Sequence, residues 1–186
     1  RLPHEQSRYR QLAEHGQAPE IMVIGCCDSR VSPEVIFDAG PGEVFVSRNI
    51  ANLVPPYTPD SAQRSMSAAL EFAVQSLKVT DILVMGHGRC GGISAALDPE
   101  AEPLSPGDFI GKWMGMLKPV AEQIQGAGML TQGERQRALE RVSIRNSIAN
   151  LRTFPCVRIL EDKGRLKLQC AGFVFSTARQ RDSEAT

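Results

Sequence analysis

"EIMVIGCCDSR" occupies residues 20–30 and carries more of the fold than any other stretch. Its first part, "EIMVIGC" (20–26), is a short unbroken apolar run. Such a run predicts a strand buried on both faces, the kind that parallel sheets contain. The second part turns abruptly polar. "GCCDSR" (25–30) places two thiols, a carboxylate and a guanidinium in close succession. Three readings compete for it: an incidental polar loop, a redox pair of adjacent cysteines, or one half of a metal site whose other half lies elsewhere.

Outward from this strand the pattern alternates. "HEQSRYRQLAEHG" (4–16) reads as a polar helix. "SPEVIFDAG" (32–40) starts a helix, with Ser32 as N-cap and Pro33 at the first helical position. "EVFVSRN" (43–49) and "DILVMGHG" (81–88) read as further strands. Between them, residues 59–79 have helical spacing at Met66, Leu70, Val74 and Leu77, a stripe that predicts core. A short helix is expected at 91–97, longer ones at about 107–125 and 132–152, and two strands across 155–175 around Asp162-Lys163-Gly164. Strands alternating with helices predict an α/β fold with a central, mostly parallel sheet covered on both faces. With 186 residues and no linker or repeat, one domain over 1–186 is expected.

Composition narrows the partners. Formal net charge is zero, which gives no electrostatic reason to expect nucleic acid. No apolar run approaches the roughly 20 residues that a bilayer span needs. The five cysteines, Cys26, Cys27, Cys90, Cys156 and Cys170, are an odd number and argue against a secreted disulfide framework. A reducing, cytoplasmic setting is expected. Arg1 opens the chain in place of Met, which leaves room for a removed targeting segment.

In an open parallel sheet, ligands gather at the carboxyl ends of the strands. "GCCDSR" therefore meets "GHGRCGG" (86–92), which follows a second strand and supplies His87 and Cys90. One cysteine of the first segment with His87 and Cys90 makes a Cys₂His donor set. Thiolate and imidazole suit zinc, and three protein ligands leave a fourth position for water, as in catalytic zinc sites.

Cys-x-Asp-Ser-Arg at 26–30 and His-x-x-Cys-Gly-Gly at 87–92 resemble the two motifs of the β-class carbonic anhydrases. "PGEVFVSRNIANLVPP" (41–56) is similar to a hallmark of that family between the two motifs. The resemblance implies one zinc per chain on Cys26, His87 and Cys90, a catalytic dyad of Asp28 and Arg30, and a pocket using Gln17, Phe45, Phe72 and Gly91. It implies reversible hydration of carbon dioxide to bicarbonate and a proton by a zinc-supplied hydroxide, with Asp28 as hydrogen-bond acceptor. The implied fold is four parallel strands plus one antiparallel edge strand. The implied assembly is a homodimer or larger, with the active site at the interface and an N-terminal arm of which this chain lacks part. Phe72 stands where some relatives have a tyrosine that bonds a metal-bound sulfur. Val23 stands where some have a tryptophan that supports a closed state, so Asp28 is expected to stay on Arg30.

Blander roles compete. Cys27, Cys156 and Cys170 are expected to pack or lie exposed, the last two as core. His4 and His15 fall on a polar helix and are expected to be solvated. Arg48 fits a structural ion pair as well as a substrate contact, and Arg89 has no assigned role. Relatives with the same ligands that hydrolyse carbon disulfide or carbonyl sulfide, and a non-catalytic zinc or redox module using Cys27, are the alternatives to an anhydrase.

Overall fold

A computed structural model describes residues 3–59 and 64–174. The apolar run of 20–26 forms strand β1 (Ile21–Cys26), and all of it after Ile21 is buried. It lies between β2 (Val44–Asn49) and β3 (Asp81–His87), and β4 (Lys167–Phe173) flanks β3, giving the order β2-β1-β3-β4. Every described pairing is parallel. The register joins Cys26 to Asn49 on one side and Gly25 to Met85 on the other.

The helices are α1 (Pro3–His15), α2 (Pro33–Ile36), α3 (Arg64–Glu71), α4 (Gly91–Ala96), α5 (Phe109–Met114), α6 (Lys118–Gly126), α7 (Gln132–Leu151) and α8 (Pro155–Asp162). They cover both sheet faces, because alternate residues of each buried strand point to opposite sides. On one face Met22, Ile24, Ile82 and Val84 meet Leu70 and Val74 of α3 and its continuation, and Val157 of α8. On the other, Val23 and Met85 meet Ile93, Leu117 and Leu139, and this layer also holds Cys26 and Cys90. The stripe Met66, Leu70 and Val74 is core, as its spacing predicts.

Several expectations are corrected. The antiparallel edge strand is absent among the described residues, where β2 and β4 hold the edges. Each is reached through a helical crossover, which enforces parallel pairing. Of the two strands expected across 155–175, only the second forms; the first is α8, and Phe175 lies outside the described residues. Pro155 stands at the helix start, where its fixed φ and missing N–H cost nothing. Val157 and Leu160 then face the core at helical spacing, while Ile159, which an alternating strand would bury with Val157, is 48% exposed. Cys156 accordingly packs from a helix, and Cys170 is exposed on edge strand β4 rather than in the core.

The helix expected over 59–79 runs from Arg64 to Glu71 and continues as a π-helical stretch, Phe72–Leu77; residues 60–63 lie outside the described set. The helix expected over 107–125 is divided at Gly115–Leu117, before Pro119 opens α6. Helix α7 begins where Thr131 and Glu134 satisfy each other's backbone N–H in a capping box. The expected N-cap Ser32 makes no such bond; its hydroxyl donates to Glu34 instead.

Gly86 fixes how closely α7 can approach β3. A Cβ there would lie 2.5 Å from Cδ1 of Ile144. Replacing Gly86 with Ala should destabilise the fold by about 1–3 kcal/mol through overpacking. Adding Ile144→Val should recover part of that loss. The shift of the urea midpoint of each variant measures both effects.

Candidate metal centre and its dyad

The strand order reverses between β1 and β3. Their outgoing connections diverge, and a crevice opens at the carboxyl ends of these two strands. Cys26 ends β1, and His87 ends β3. Cys90 follows a turn in which Arg89 takes a left-handed φ of 54°. The donor atoms of Cys26, His87 and Cys90 all lie within 4.8 Å of one another, and all three residues are buried.

The two sulfurs are 4.0 Å apart. Tetrahedral zinc with Zn–S bonds of about 2.3 Å would separate two thiolates by about 3.8 Å. The donor set and its spacing thus fit a zinc ion, and these residues could hold one.

Backbone N–H groups prepare the cluster for negative charge. The Ala51 amide donates to Cys26 Sγ at 3.3 Å, and the backbone of Asp28 assists. Cys90 caps α4 and is favoured as thiolate by the backbone of Ile93 and Gly92. A hydrogen bond from the Cys90 thiol holds Cys26 down at about 4, against burial. The same bond, with burial, pushes Cys90 well above the usual thiol range. Burial disfavours charged His87, but the neighbouring Cys26 thiolate outweighs it and raises the imidazole.

Ala51 can present its amide because the 50–52 turn is left-handed at Ala51 and Asn52, with φ of 62° and 48°. Two contacts hold this costly geometry. Trp113 Nε1 donates to the Ile50 carbonyl at 2.9 Å. Gly92 lets α4 press in: a Cβ there would come within 2.6 Å of Ile50 Cγ2.

Asp28 and Arg30 form a forked pair beside the cluster. Arg30 Nε reaches Oδ1 at 2.9 Å and Nη2 reaches Oδ2 at 2.6 Å, while the Arg30 amide also donates to Oδ1. Oδ2 lies 3.9 Å from His87 Nε2. The Asp28 side chain is only 16% exposed. Arg48 donates to the carbonyls of Cys26 at 2.8 Å and Asp28 at 2.7 Å and so shapes the strand end; among the described residues it makes no ion pair. A largely apolar groove of about 540 Å³ opens beside Cys27, lined also by Arg48, Ile50, Met66, Phe109 and Trp113, and it includes none of the three donors.

The remaining expected pocket residues fall elsewhere. Gln17 is exposed and precedes β1 in the chain, whose first residue, Ile21, lies about 16 Å from Cys26 along the strand. Phe45 pairs with Met22, about 13 Å back from the carboxyl end. Phe72 stacks near it, ring centroids 5.9 Å apart, and is 46% exposed. Gly91 does lie at the site, at the first position of α4 with open space beside its Cα. Cys27 stands outside the donor cluster and is exposed, and His15 is exposed; the His4 side chain lies outside the described residues.

A sequence model of the carbonic anhydrase family matches residues 21–180. The chloroplastic β-carbonic anhydrase 5 of Arabidopsis thaliana is 40% identical over 168 residues, which are 90% of this chain and 54% of that protein. The chain belongs to the β-carbonic anhydrase family. Among solved structures, the β-carbonic anhydrase CcaA superposes with a TM-score of 0.82 at 27% identity, covering 91% of this chain and 81% of that one. A tetrameric β-carbonic anhydrase from the ascomycete Sordaria macrospora gives 0.76 at 30% identity, covering 92% and 83%. The chain spans about half the length of the curated relatives it matches. Among the described residues no helix of this β-carbonic anhydrase chain is long and apolar enough to cross a membrane.

Arg30 holds the Asp28 carboxyl well below the usual carboxylate range, chiefly by its side-chain hydrogen bonds. A lowered folded pKa means that the pair's stabilisation is present above the ordinary value, about 4, and is lost only as pH falls toward the folded one. Carboxylate ¹³C NMR should therefore show Asp28 ionised at pH 4. Arg30→Gln should move its titration up into the ordinary range.

Proposed function

We propose that the chain is a zinc-dependent carbonic anhydrase that hydrates carbon dioxide reversibly to bicarbonate and a proton. The observation that carries this is the buried Cys26–His87–Cys90 cluster with the Asp28–Arg30 fork at its edge. We assign one zinc per chain to those three residues. When bound, zinc lowers the pKa of a water and so supplies the nucleophile near neutral pH.

The side chains around it do the rest. Asp28 Oδ2, on the His87 side of the pair, is the acceptor that takes the nucleophile's O–H and so turns a lone pair toward the substrate carbon. A carboxyl held so far below neutrality accepts a hydrogen bond without taking the proton. Arg30 keeps it ionised and aimed, and in the working state Asp28 stays on Arg30. Val23, buried in the core, offers no side-chain N–H to support a closed arrangement. Gly91 leaves open backbone against which the small substrate rests. The redox-module alternative is not favoured, since its thiol, Cys27, stands apart from the cluster. The five free thiols suit a reducing compartment, whether the cytoplasm or an organelle such as the chloroplast for which the Arabidopsis relative is named.

Phe45 lies about 13 Å back from the strand end that meets the cluster, Phe72 packs beside it and exposes an apolar ring, and Gln17 precedes the far end of β1. We assign them to the site of a second copy, in a homodimer or larger assembly. The tetrameric Sordaria relative supports that reading.

Stopped-flow hydration of carbon dioxide, with and without a chelator, is the direct test. Cys90→Ser should lose both zinc and activity, whereas Cys156→Ser should keep both. Full zinc in Cys90→Ser would overturn the ligand assignment.

The shared site has its own test. Gln17→Ala and Cys90→Ser chains, each impaired alone, should regain activity when mixed, because the mixed dimer holds one intact site. A fully active monomer in sedimentation would refute the shared arrangement.

A further inference from the structure

We propose that Glu140 is a positioning residue for the metal centre, acting through the single peptide that joins Arg89 to Cys90. The inference rests on Cys90 being a zinc ligand. That peptide is gripped at both ends. Its carbonyl, from Arg89, accepts from Arg30 Nη2 at 3.2 Å. Its N–H, from Cys90, donates to Glu140 Oε1 at 3.3 Å. Gln136, one turn earlier on α7, donates to the same oxygen at 3.1 Å.

The grip has something to hold. Arg89 sits at a φ of 54°. A non-glycine residue there costs on the order of 1–3 kcal/mol and persists only when its surroundings over-determine it. Rotation of the peptide plane would change ψ of Arg89 and φ of Cys90 together, and it would swing the Cys90 thiol relative to Cys26. With a donor on the oxygen and an acceptor on the hydrogen, the plane has one orientation that satisfies both.

The two grips belong to different parts of the molecule. Arg30 is the residue that forks onto Asp28. Glu140 comes from α7, one turn before Ile144, whose contact with Gly86 sets the helix against β3. The hydrogen bonds therefore run from Asp28 through Arg30 and the 89–90 peptide to Glu140 and Gln136. A carboxylate near two thiolates is repelled by them, so the amide and the Gln136 NH₂ are what make its position tolerable. Outer partners of this kind orient metal ligands and typically contribute 10–100-fold in metal affinity.

The test compares zinc release to a chromogenic chelator from the parent, Glu140→Ala and Glu140→Gln, together with exchange of the Cys90 amide by NMR. Glu140→Ala should release zinc about 10–100 times faster and lose protection at the Cys90 amide. Glu140→Gln, which keeps an acceptor oxygen, should restore most of both. Ile144→Val on the same helix should lower stability and leave zinc release unchanged, which separates positioning from a merely structural effect. If Glu140→Ala does not fold, Gln136→Ala should still accelerate release. Release within twofold of the parent in Glu140→Ala, or in Gln136→Ala in its place, with the Cys90 amide still protected, overturns the proposal. A parent chain without zinc would overturn the proposed function instead, and the amide exchange alone would then decide the clamp.

Discussion

The parallel pairing of β1 with β3 is the constraint on which the rest depends. It sets Gly25 beside Met85 and so brings two strand ends level, one finishing in Cys26 and the other in His87. Because β2 is added on one side of β1 and β4 on the far side of β3, the loops leaving these ends move apart. The space between them is walled by buried strands and floored by the layer that contains Val23 and Met85. A strand order that separated β1 from β3 would leave the thiol and the imidazole too far apart to share a metal ion.

Burying two thiols and an imidazole is costly unless each is paired. The protein compensates with backbone. The Ala51 amide reaches Cys26 only because its turn is left-handed, and that turn is braced by Trp113 and by the close approach of Gly92. Arg48 braces the other side by holding the carbonyls of Cys26 and Asp28. Much of the segment 48–52 thus serves the site without contributing a donor side chain to it. The turn at 50–52 is there to aim one N–H, that of Ala51, at sulfur.

The site is chemically complete for holding a metal and incomplete as a pocket. Asp28, Arg30 and Gly91 are in place, but the expected apolar walls Phe45 and Phe72 lie back along the sheet, and Gln17 precedes β1. An exposed Phe72 and an apolar groove beside Cys27 are unfavourable features for an isolated chain. They are accounted for together if a second copy brings the two ends into contact.

The sequence by itself determined the elements that depend on local pattern. The apolar run of β1, the stripe of α3 and the helix at 132–152 are set by burial period and local propensity, which are properties of near neighbours in the chain. The donor types at 26, 87 and 90 were legible for the same reason, because cysteine and histidine at two strand ends have few other uses. The tertiary structure alone decided what depends on distant contacts. Residues 155–162 alternate well enough for a strand, but Pro155 and the core beneath Val157 and Leu160 select a helix. No local signal separates Arg48 as an ion-pair partner from Arg48 as a clamp on carbonyls. Glu140 lies fifty residues from the amide it accepts, and nothing in its neighbours marks it. Long-range hydrogen bonds are formed by the packing of whole elements, and their partners are chosen only once those elements have met.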